Sequence, residues 1–320
     1  MLDANTICVI GGTGFLGCHL VRQFLASNVE RILVYARSEA SHYKLRCTFA
    51  KVLDRIESVI GDVRDLERLR EAFRGVDVVI HAAAMKHITH CEDHPYEAYM
   101  TNVVGSQNVI RACESVETPP RVVFVSTDKA VSPTTVYGAT KMIQEGLFAR
   151  AKLPCAGVRY GNVLSSTGSV VPFFRELAKR GESLPVTQVD MTRFFLPVRE
   201  AVAMVEYAIS AAEGAPGTIF VPRVRSAKIL DLAAAFGRKY GVPWHVIGPR
   251  PGEKLHESLL SERDAGLAED LGKVVAIRKS TGGFEGLDRT KTIDLADFTS
   301  DGPVMTTDEV YEFLEREGEL

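Results

Sequence analysis

Long apolar runs are missing from this 320-residue chain, and none approaches the ~18 consecutive apolar residues that a membrane-spanning helix needs. That absence predicts a protein without a membrane span. Paired cysteine spacing is missing as well. Cys8, Cys18, Cys47, Cys91, Cys113 and Cys155 are scattered, which argues against a disulfide framework and reads as reduced, mostly packed thiols of a cytoplasmic protein. A large excess of charge is absent too. The formal net charge of −3 argues against a nucleic-acid partner, while leaving room for local basic patches that meet phosphates. No Ser/Gly-rich linker and no internal repeat breaks the chain, and a strand pattern starts within a few residues of Met1, which predicts no signal peptide.

What is present alternates between strand and helix periods. Ile7–Ile10, Arg31–Ala36, Ile56–Ile60, Val76–His81 and Arg121–Val125 read as strands, the last a continuous β-branched run of the kind buried in parallel sheets. Between them lie a helix at Phe15–Leu25 with Leu16, Leu20, Val21 and Phe24 on one face, another at Asp65–Phe73, and a long one at about Tyr96–Cys113. This succession predicts an α/β fold with a right-handed, doubly wound parallel sheet. Past Cys155–Arg159 the pattern is less regular. Helices are expected at Val170–Lys179, Arg199–Ala212 and Ile229–Tyr240, strands at Thr218–Val221, Trp244–Ile247 and Lys273–Lys279, and a capped C-terminal helix at Thr307–Glu317. A smaller substrate domain interleaved with the sheet domain is the expectation.

The turn from first strand to first helix reads Gly11-Gly12-Thr13-Gly14-Phe15-Leu16-Gly17. Glycines here permit a tight turn and let backbone approach a pyrophosphate seated on the helix N-terminus, so a Rossmann-type dinucleotide site is predicted. The second strand ends in Arg37-Ser38 rather than an acid. An acid at that place serves the ribose hydroxyls of NAD, whereas Arg37 suits a 2′-phosphate, with Lys44 as a possible helper. NADP is therefore expected over NAD. Asp62 and Val63, after the third strand, are candidates for the adenine edge.

Ser126-Thr127-Asp128-Lys129 follows the fifth strand, at the carboxyl end where open α/β sheets bind ligands. Tyr137 and Lys141, four apart, share one helix face. An ammonium near a phenol favours the phenolate, which makes Tyr137 a candidate base for an alcohol proton. The Asp128-Lys129 pair points to a second proton-transfer task beyond alcohol oxidation.

With these pieces placed, the chain resembles the extended short-chain dehydrogenases/reductases, and within them the UDP-N-acetylglucosamine 4,6-dehydratases that invert carbon 5. The resemblance runs over nearly the whole chain. It is carried by His81-Ala82-Ala83-Ala84-Met85-Lys86-His87, Ser126–Ala130, Tyr137–Lys141, Arg159-Tyr160-Gly161-Asn162-Val163, Gly168–Phe174, Met191-Thr192-Arg193-Phe194-Phe195 and Arg250-Pro251-Gly252-Glu253-Lys254. Retaining dehydratases of the superfamily carry Asp-Glu where this chain has Asp128-Lys129.

The resemblance implies that Tyr137 deprotonates the sugar 4-hydroxyl, that Lys141 holds the nicotinamide ribose and tunes Tyr137, and that Thr127 bonds the 4-oxygen. It further implies that Lys129 removes the carbon-5 proton and Asp128 protonates the departing 6-hydroxyl. A lysine base must be neutral, which calls for a depressed pKa. Ala82, Ala83 and Lys86 would border the cofactor. Arg193 and Arg250 are candidate diphosphate clamps, as planar donors suit phosphate oxygens. Lys86 and Asn162 would touch nucleotide or sugar, and Glu253 is a candidate substrate contact or a structural residue.

The implied division of the chain is an NADP-binding domain of residues 1–160 plus about 193–225, and a nucleotide-sugar-binding domain of about 161–192 and 226–320. A homo-oligomer, dimer or hexamer, is implied through the Tyr96–Cys113 and Tyr137–Arg150 helices. The chain departs from the family at Ile10, Thr167 and Phe195-Leu196-Pro197, which leaves the exact sugar open. His87, His90, Cys91 and His94 have the look of a soft-metal set, but Pro95 opposes one continuous helix through them and no metal is expected. Two rivals remain open: a nucleotide-sugar 4-epimerase, which has no use for Asp128-Lys129, and a non-catalytic NADP-binding sensor.

Overall fold

The computed structural model describes residues 3–278 and 293–320. Fourteen strands are described in chain order: β1 Thr6–Ile10, β2 Arg31–Ala36, β3 Ile56–Ile60, β4 Val78–His81, β5 Arg121–Thr127, β6 Cys155–Tyr160, β7 Asn162–Val163, β8 Leu184–Val186, β9 Thr192–Leu196, β10 Thr218–Pro222, β11 Arg225–Lys228, β12 Trp244–Val246, β13 Ala268–Asp270 and β14 Val274–Ile277. Nine of them form one sheet in the order β13-β14-β10-β6-β5-β4-β1-β2-β3. From β10 to β3 every pairing is parallel, and β14 and β13 close the far edge antiparallel. The order turns back on itself between β1 and β4, so the carboxyl ends of those two strands open a crevice, the switch point where such sheets hold ligands.

The strands form where β-branched and aliphatic residues run without interruption, because both sheet faces are covered. One face packs Ile7, Val9, Val34, Ile80 and Val123 against the helices Phe15–Leu25 and Val198–Ala211. The other packs Cys8, Leu33, Val79, Val122 and Phe124 against helices that include Gly105–Glu114 and Val136–Phe148. Phe124 stacks on Phe148 with ring centroids 4.5 Å apart. Gly157 makes room for that stack, since a methyl group there would stand 2.3 Å from the Phe124 ring.

A second, smaller core joins the helices Val170–Lys179, Ile229–Tyr240 and Thr307–Arg316 to the strand pair β8–β12 and the three-stranded sheet β11-β9-β7. The last helix opens with a reciprocal cap between Thr306 and Glu309. No helix among the described residues is long and apolar enough to cross a membrane.

Three sequence expectations need correction. The implied division puts β13 and β14 with residues 226–320 of the smaller domain, yet they extend the large sheet, because β14 buries Val275 and Ile277 beside β10. β9 was expected with the large domain and instead pairs with β7 and β11 in the small sheet. The long helix at about Tyr96–Cys113 is a relay of Pro95–Tyr99, a π-helical turn at Met100–Val104 and Gly105–Glu114. Within that turn Asn102 Oδ1 accepts from the Met85 N–H, and its Nδ2 donates to the Met85 carbonyl and to Thr140 Oγ1. Smaller shifts occur at β4, which starts at Val78, and at β14; position 279 lies outside the described residues.

Candidate active site

A cavity of about 1240 Å³ runs from the glycine turn along the sheet's carboxyl edge to the loop at Arg250–Glu257. At its cofactor end Gly11 has φ +80°, and a methyl group there would stand 2.9 Å from the Ala83 backbone. Gly17 is tighter still, as its missing methyl group would lie 2.4 Å from the Gly11 carbonyl oxygen. Gly14 starts the Phe15–Leu25 helix without any side-chain cap. The glycines thus let the turn pack closely on its own backbone, and the uncapped start of the helix borders the cavity, where its N–H groups suit a pyrophosphate. Gly11, Thr13, Gly14, Phe15, Leu16 and Gly17 line it, as do Arg37, Ser38, Val63, Ala82, Ala83 and Lys86.

Not every expected cofactor residue joins that wall. The Asp62 carboxylate is taken by Arg64 at 2.8 Å and approached by Arg37 at 3.8 Å, and the residue lies off the cavity. Arg64 holds its carboxyl below the usual range despite partial burial. Ser38 accepts from the Ser41 N–H and caps the helix Glu39–Thr48, while Lys44 sits further along that helix and does not reach the cavity.

β5 ends on the chemistry. Ser126 donates to Glu145 at 2.6 Å. The Thr127 hydroxyl donates to Asp128 Oδ1 at 2.8 Å and faces the cavity. A single 3₁₀ turn, Asp128–Ala130, then places Lys129 Nζ 3.2 Å from Asp128 Oδ1 and 3.2 Å from Glu257 Oε1. Asp128 is fully buried, and its Oδ2 has no hydrogen-bond partner. It lies under Gly161, where a methyl group would come within 3.2 Å of it. Thr135 caps the helix Val136–Phe148 by accepting from Gly138 N–H, which sets Tyr137 and Lys141 one turn apart at the cavity.

The electrostatics differ from what the sequence pattern implies. Burial pushes the Tyr137 phenol up to about 12, and the cation that opposes this is Lys129, helped by a hydrogen bond with Thr127. Lys141 does not take that part here: its Nζ donates to the Val125 carbonyl at 2.6 Å, and burial brings its pKa down to about 7 against the pull of Glu145. Lys129 shifts the opposite way to the one a lysine base calls for. Burial alone would lower it, and Arg193 adds to that, but the carboxylates of Asp128 and Glu257 outweigh both and hold the ammonium above the ordinary lysine range.

Of the expected substrate contacts, Lys86, Asn162, Arg193, Arg250 and Glu253 all line the cavity. Burial lowers the Lys86 pKa. Arg193 is buried and donates to the Thr192 and Leu255 carbonyls at 2.7 and 3.2 Å. Arg250 is exposed, and its backbone N–H donates to the Glu253 carboxylate at 3.1 Å, a contact that shapes the loop. Around His87, His90, Cys91 and His94, the helix Ile88–Asp93 ends before Pro95, and the buried Cys91 thiol donates inward to the Met85 carbonyl. Glu257 is a further residue of the cavity wall. It stands three residues beyond the Arg250–Lys254 motif in a non-helical loop, and no spacing rule marks it.

A parallel sheet wound on both faces, a glycine turn on its first helix and a Tyr-x-x-x-Lys pair at the same cavity define a short-chain dehydrogenase/reductase of the extended kind. The family described as polysaccharide biosynthesis protein matches residues 7–279. The chain is 40% identical over 289 residues to the UDP-N-acetylglucosamine 4,6-dehydratase (inverting) of Campylobacter jejuni, covering 88% of this chain and 84% of that one. It is 38% identical over 287 residues to a protein of Rickettsia akari named UDP-glucose 4-epimerase, covering 85% and 82%. The crystal structure of Pen from Bacillus thuringiensis superposes with a TM-score of 0.91 at 30% identity, over 100% of both chains. The chain belongs to the polysaccharide biosynthesis protein family.

Proposed function

We propose that the protein is a nucleotide-sugar 4,6-dehydratase acting on UDP-N-acetylglucosamine with inversion at carbon 5, a hydro-lyase that works with bound NADP. The observation that carries this reading is Lys129, held at the cavity beside Tyr137 with a carboxylate on either side. Oxidation at carbon 4 needs one base. Elimination across carbons 5 and 6 needs a second base and an acid, because one group cannot give and take a proton at once. An epimerase has no use for that second set, so the relatives named epimerases do not account for it.

The nicotinamide, when bound, supplies the hydride acceptor and donor. Gly11, Gly14 and Gly17, in the tight turn that lines the cavity, would hold its pyrophosphate. Arg37, on the cavity wall at the end of β2, favours NADP over NAD. Tyr137 takes the 4-hydroxyl proton, with Thr127 on the 4-oxygen and Lys141 at the nicotinamide ribose. The 4-ketone acidifies carbon 5, Lys129 removes that proton, and Asp128 protonates the departing 6-hydroxyl. Arg193 and Arg250 take the diphosphate, with Lys86 and Asn162 beside it. Exposed Tyr96, Tyr99, Met142 and Ile143 support a homo-oligomer paired through the helices that carry them. Six free cysteines fit a reducing cytoplasm.

Incubation with UDP-N-acetylglucosamine, followed by mass spectrometry, tests the reading. Loss of one water is the expected result; an unchanged mass with a changed sugar would make the protein an epimerase, and no reaction would count against this substrate. In deuterated water the early product should carry one deuterium at carbon 5, with coupling constants of the L-arabino isomer. A D-xylo product would remove the inversion and keep the dehydratase.

A further inference from the structure

Lys129 is gripped by two carboxylates, and sequence resemblance accounts for one of them. Glu257 is the other, with a side chain only 4% exposed and Oε1 3.2 Å from Lys129 Nζ. It belongs to the cavity wall, whereas Asp128 lies beneath it. Its backbone is bolted down on both sides. Glu257 N–H donates to Ser300 Oγ at 2.8 Å, Ser300 N–H donates to the Glu257 carbonyl at 2.8 Å, and Ser300 Oγ lies 2.6 Å from Thr192 Oγ1 on β9. That brace ties Glu257 to the strand that carries Arg193.

A carboxylate this buried is costly unless it is well partnered. A purely structural ion pair would satisfy both oxygens, yet Glu257 Oε2 has no hydrogen-bond partner, and Lys254 Nζ stands 3.8 Å from it while donating to the Val131 carbonyl. Glu257 thus lines the cavity with one oxygen on the Lys129 amine and the other buried without a hydrogen bond, so its main partner is that amine.

We propose that Glu257 is a positioning residue for Lys129: it fixes the amine at the cavity wall and holds the ammonium that forms when the amine takes the carbon-5 proton. The proposal rests on the dehydratase reading and adds a residue to it. Protons balance with no outside partner. A proton passes from Lys129 Nζ to Asp128 Oδ1, 3.2 Å away, leaving a neutral amine and a neutral acid. The amine takes the carbon-5 proton, the acid gives its own to the 6-hydroxyl, and water departs. Ammonium and carboxylate are restored. Glu257 remains ionised throughout and opposes the new positive charge. The other charged or titratable groups around Lys129 are Arg193, which disfavours the ammonium, Tyr137, whose ionisation Lys129 favours, and Lys254 beyond Glu257.

Glu257→Gln keeps the shape and removes the charge. In the enzyme with its cofactor, kcat on UDP-N-acetylglucosamine should fall about hundredfold with little change in KM. The basic limb of kcat/KM should move to lower pH, because Lys129 loses a negative neighbour. Glu257→Asp should restore part of both. Full kcat in Glu257→Gln, or a fall in kcat with the basic limb unmoved, overturns the proposal. A second measurement needs no substrate: amine-specific labelling of Lys129, mapped by mass spectrometry, should begin at lower pH in Glu257→Gln than in the unaltered protein. An unshifted labelling curve overturns the proposal by itself. Failure of the unaltered protein to dehydrate the sugar would instead overturn the function, and the labelling would still decide Glu257. For a Glu257→Gln chain that does not fold, Glu257→Asp gives the same labelling comparison, with a smaller shift of the same sign expected.

Discussion

Lys129, half-buried, and Lys141, buried, lie at one cavity, and their pKa values move in opposite directions. Burial pushes each toward the neutral amine. What differs is the charge left over around them. Lys129 meets Asp128 and Glu257 directly, each at 3.2 Å. Near Lys141 stands Glu145, but Arg159 has already claimed that carboxylate through two bonds of 2.9 and 2.7 Å. Its residual pull is too weak to undo burial, and Lys141 falls to about 7. A buried lysine thus takes its protonation state from the unclaimed carboxylates within reach, and the local sequence names only some of them.

The sharpest way to break the comparison is to remove one lysine. Lys129→Ala should lower water elimination by about 10²- to 10⁴-fold, the usual worth of a positioned acid or base. Tyr137 stays in place, so traces of reduced cofactor should accumulate and be visible by absorbance. Tyr137→Phe should lose elimination to the same degree with no reduced cofactor. Normal turnover by Lys129→Ala would show that another group takes the carbon-5 proton.

Arg159→Met tests the other side. It removes the cation from Glu145 and from Asp264, which it meets at 2.9 Å, and breaking a buried pair this way costs about 3–5 kcal/mol. Urea denaturation should show that loss, and a change below about 1 kcal/mol, the range of exposed pairs, would mean that solvent reaches Glu145 after all. Arg37→Asp is a smaller change, set at the cofactor end. It should move preference from NADP toward NAD by about tenfold, the worth of one charge-assisted contact. The cofactor released on denaturing the purified protein would report it, and NAD alone in the unaltered protein would defeat the NADP assignment.

The two ends of the cavity also differ in how far the sequence reveals them. The glycine turn, β2 with Arg37, and β5 with Ser126 to Lys129 are local features. A strand period followed by Gly11-Gly12-Thr13-Gly14 specifies the turn from within one stretch of chain. The doubly wound sheet follows from the same local alternation. Asp62 looked available because its partner Arg64 stands two residues away in a turn whose geometry is not written in any period. Glu257 is hidden for a stronger reason: it meets Lys129 from 128 positions further along the chain, held there by the Ser300–Thr192 brace. The fate of β9, β13 and β14 was hidden likewise, since short strands join whichever sheet edge the tertiary fold offers.

The mildest prediction concerns stability and isolates burial from charge. Lys141 has a pKa of about 7 in the folded chain, against about 10.4 for an unfolded lysine. Below pH 7 both states carry the proton, and the folded state bears the full cost of a buried ammonium. Between about pH 7 and about pH 10.4 the unfolded state binds more protons, so this residue makes stability rise with pH across that window and adds nothing further above it. Lys129, whose folded pKa is raised, holds its contribution constant until the pH passes the unfolded value. Of the two lysines, then, only Lys141 changes its contribution below about pH 10. In cofactor-free protein, Lys141→Met should flatten the rise in urea midpoint between about pH 6 and about pH 9, relative to the unaltered chain. Other groups titrate there in both proteins, so the difference between the two curves is what counts. Parallel curves would mean that the Val125 carbonyl and nearby water keep Lys141 charged in the fold, and the contrast between the two lysines would then reduce to Lys129 alone.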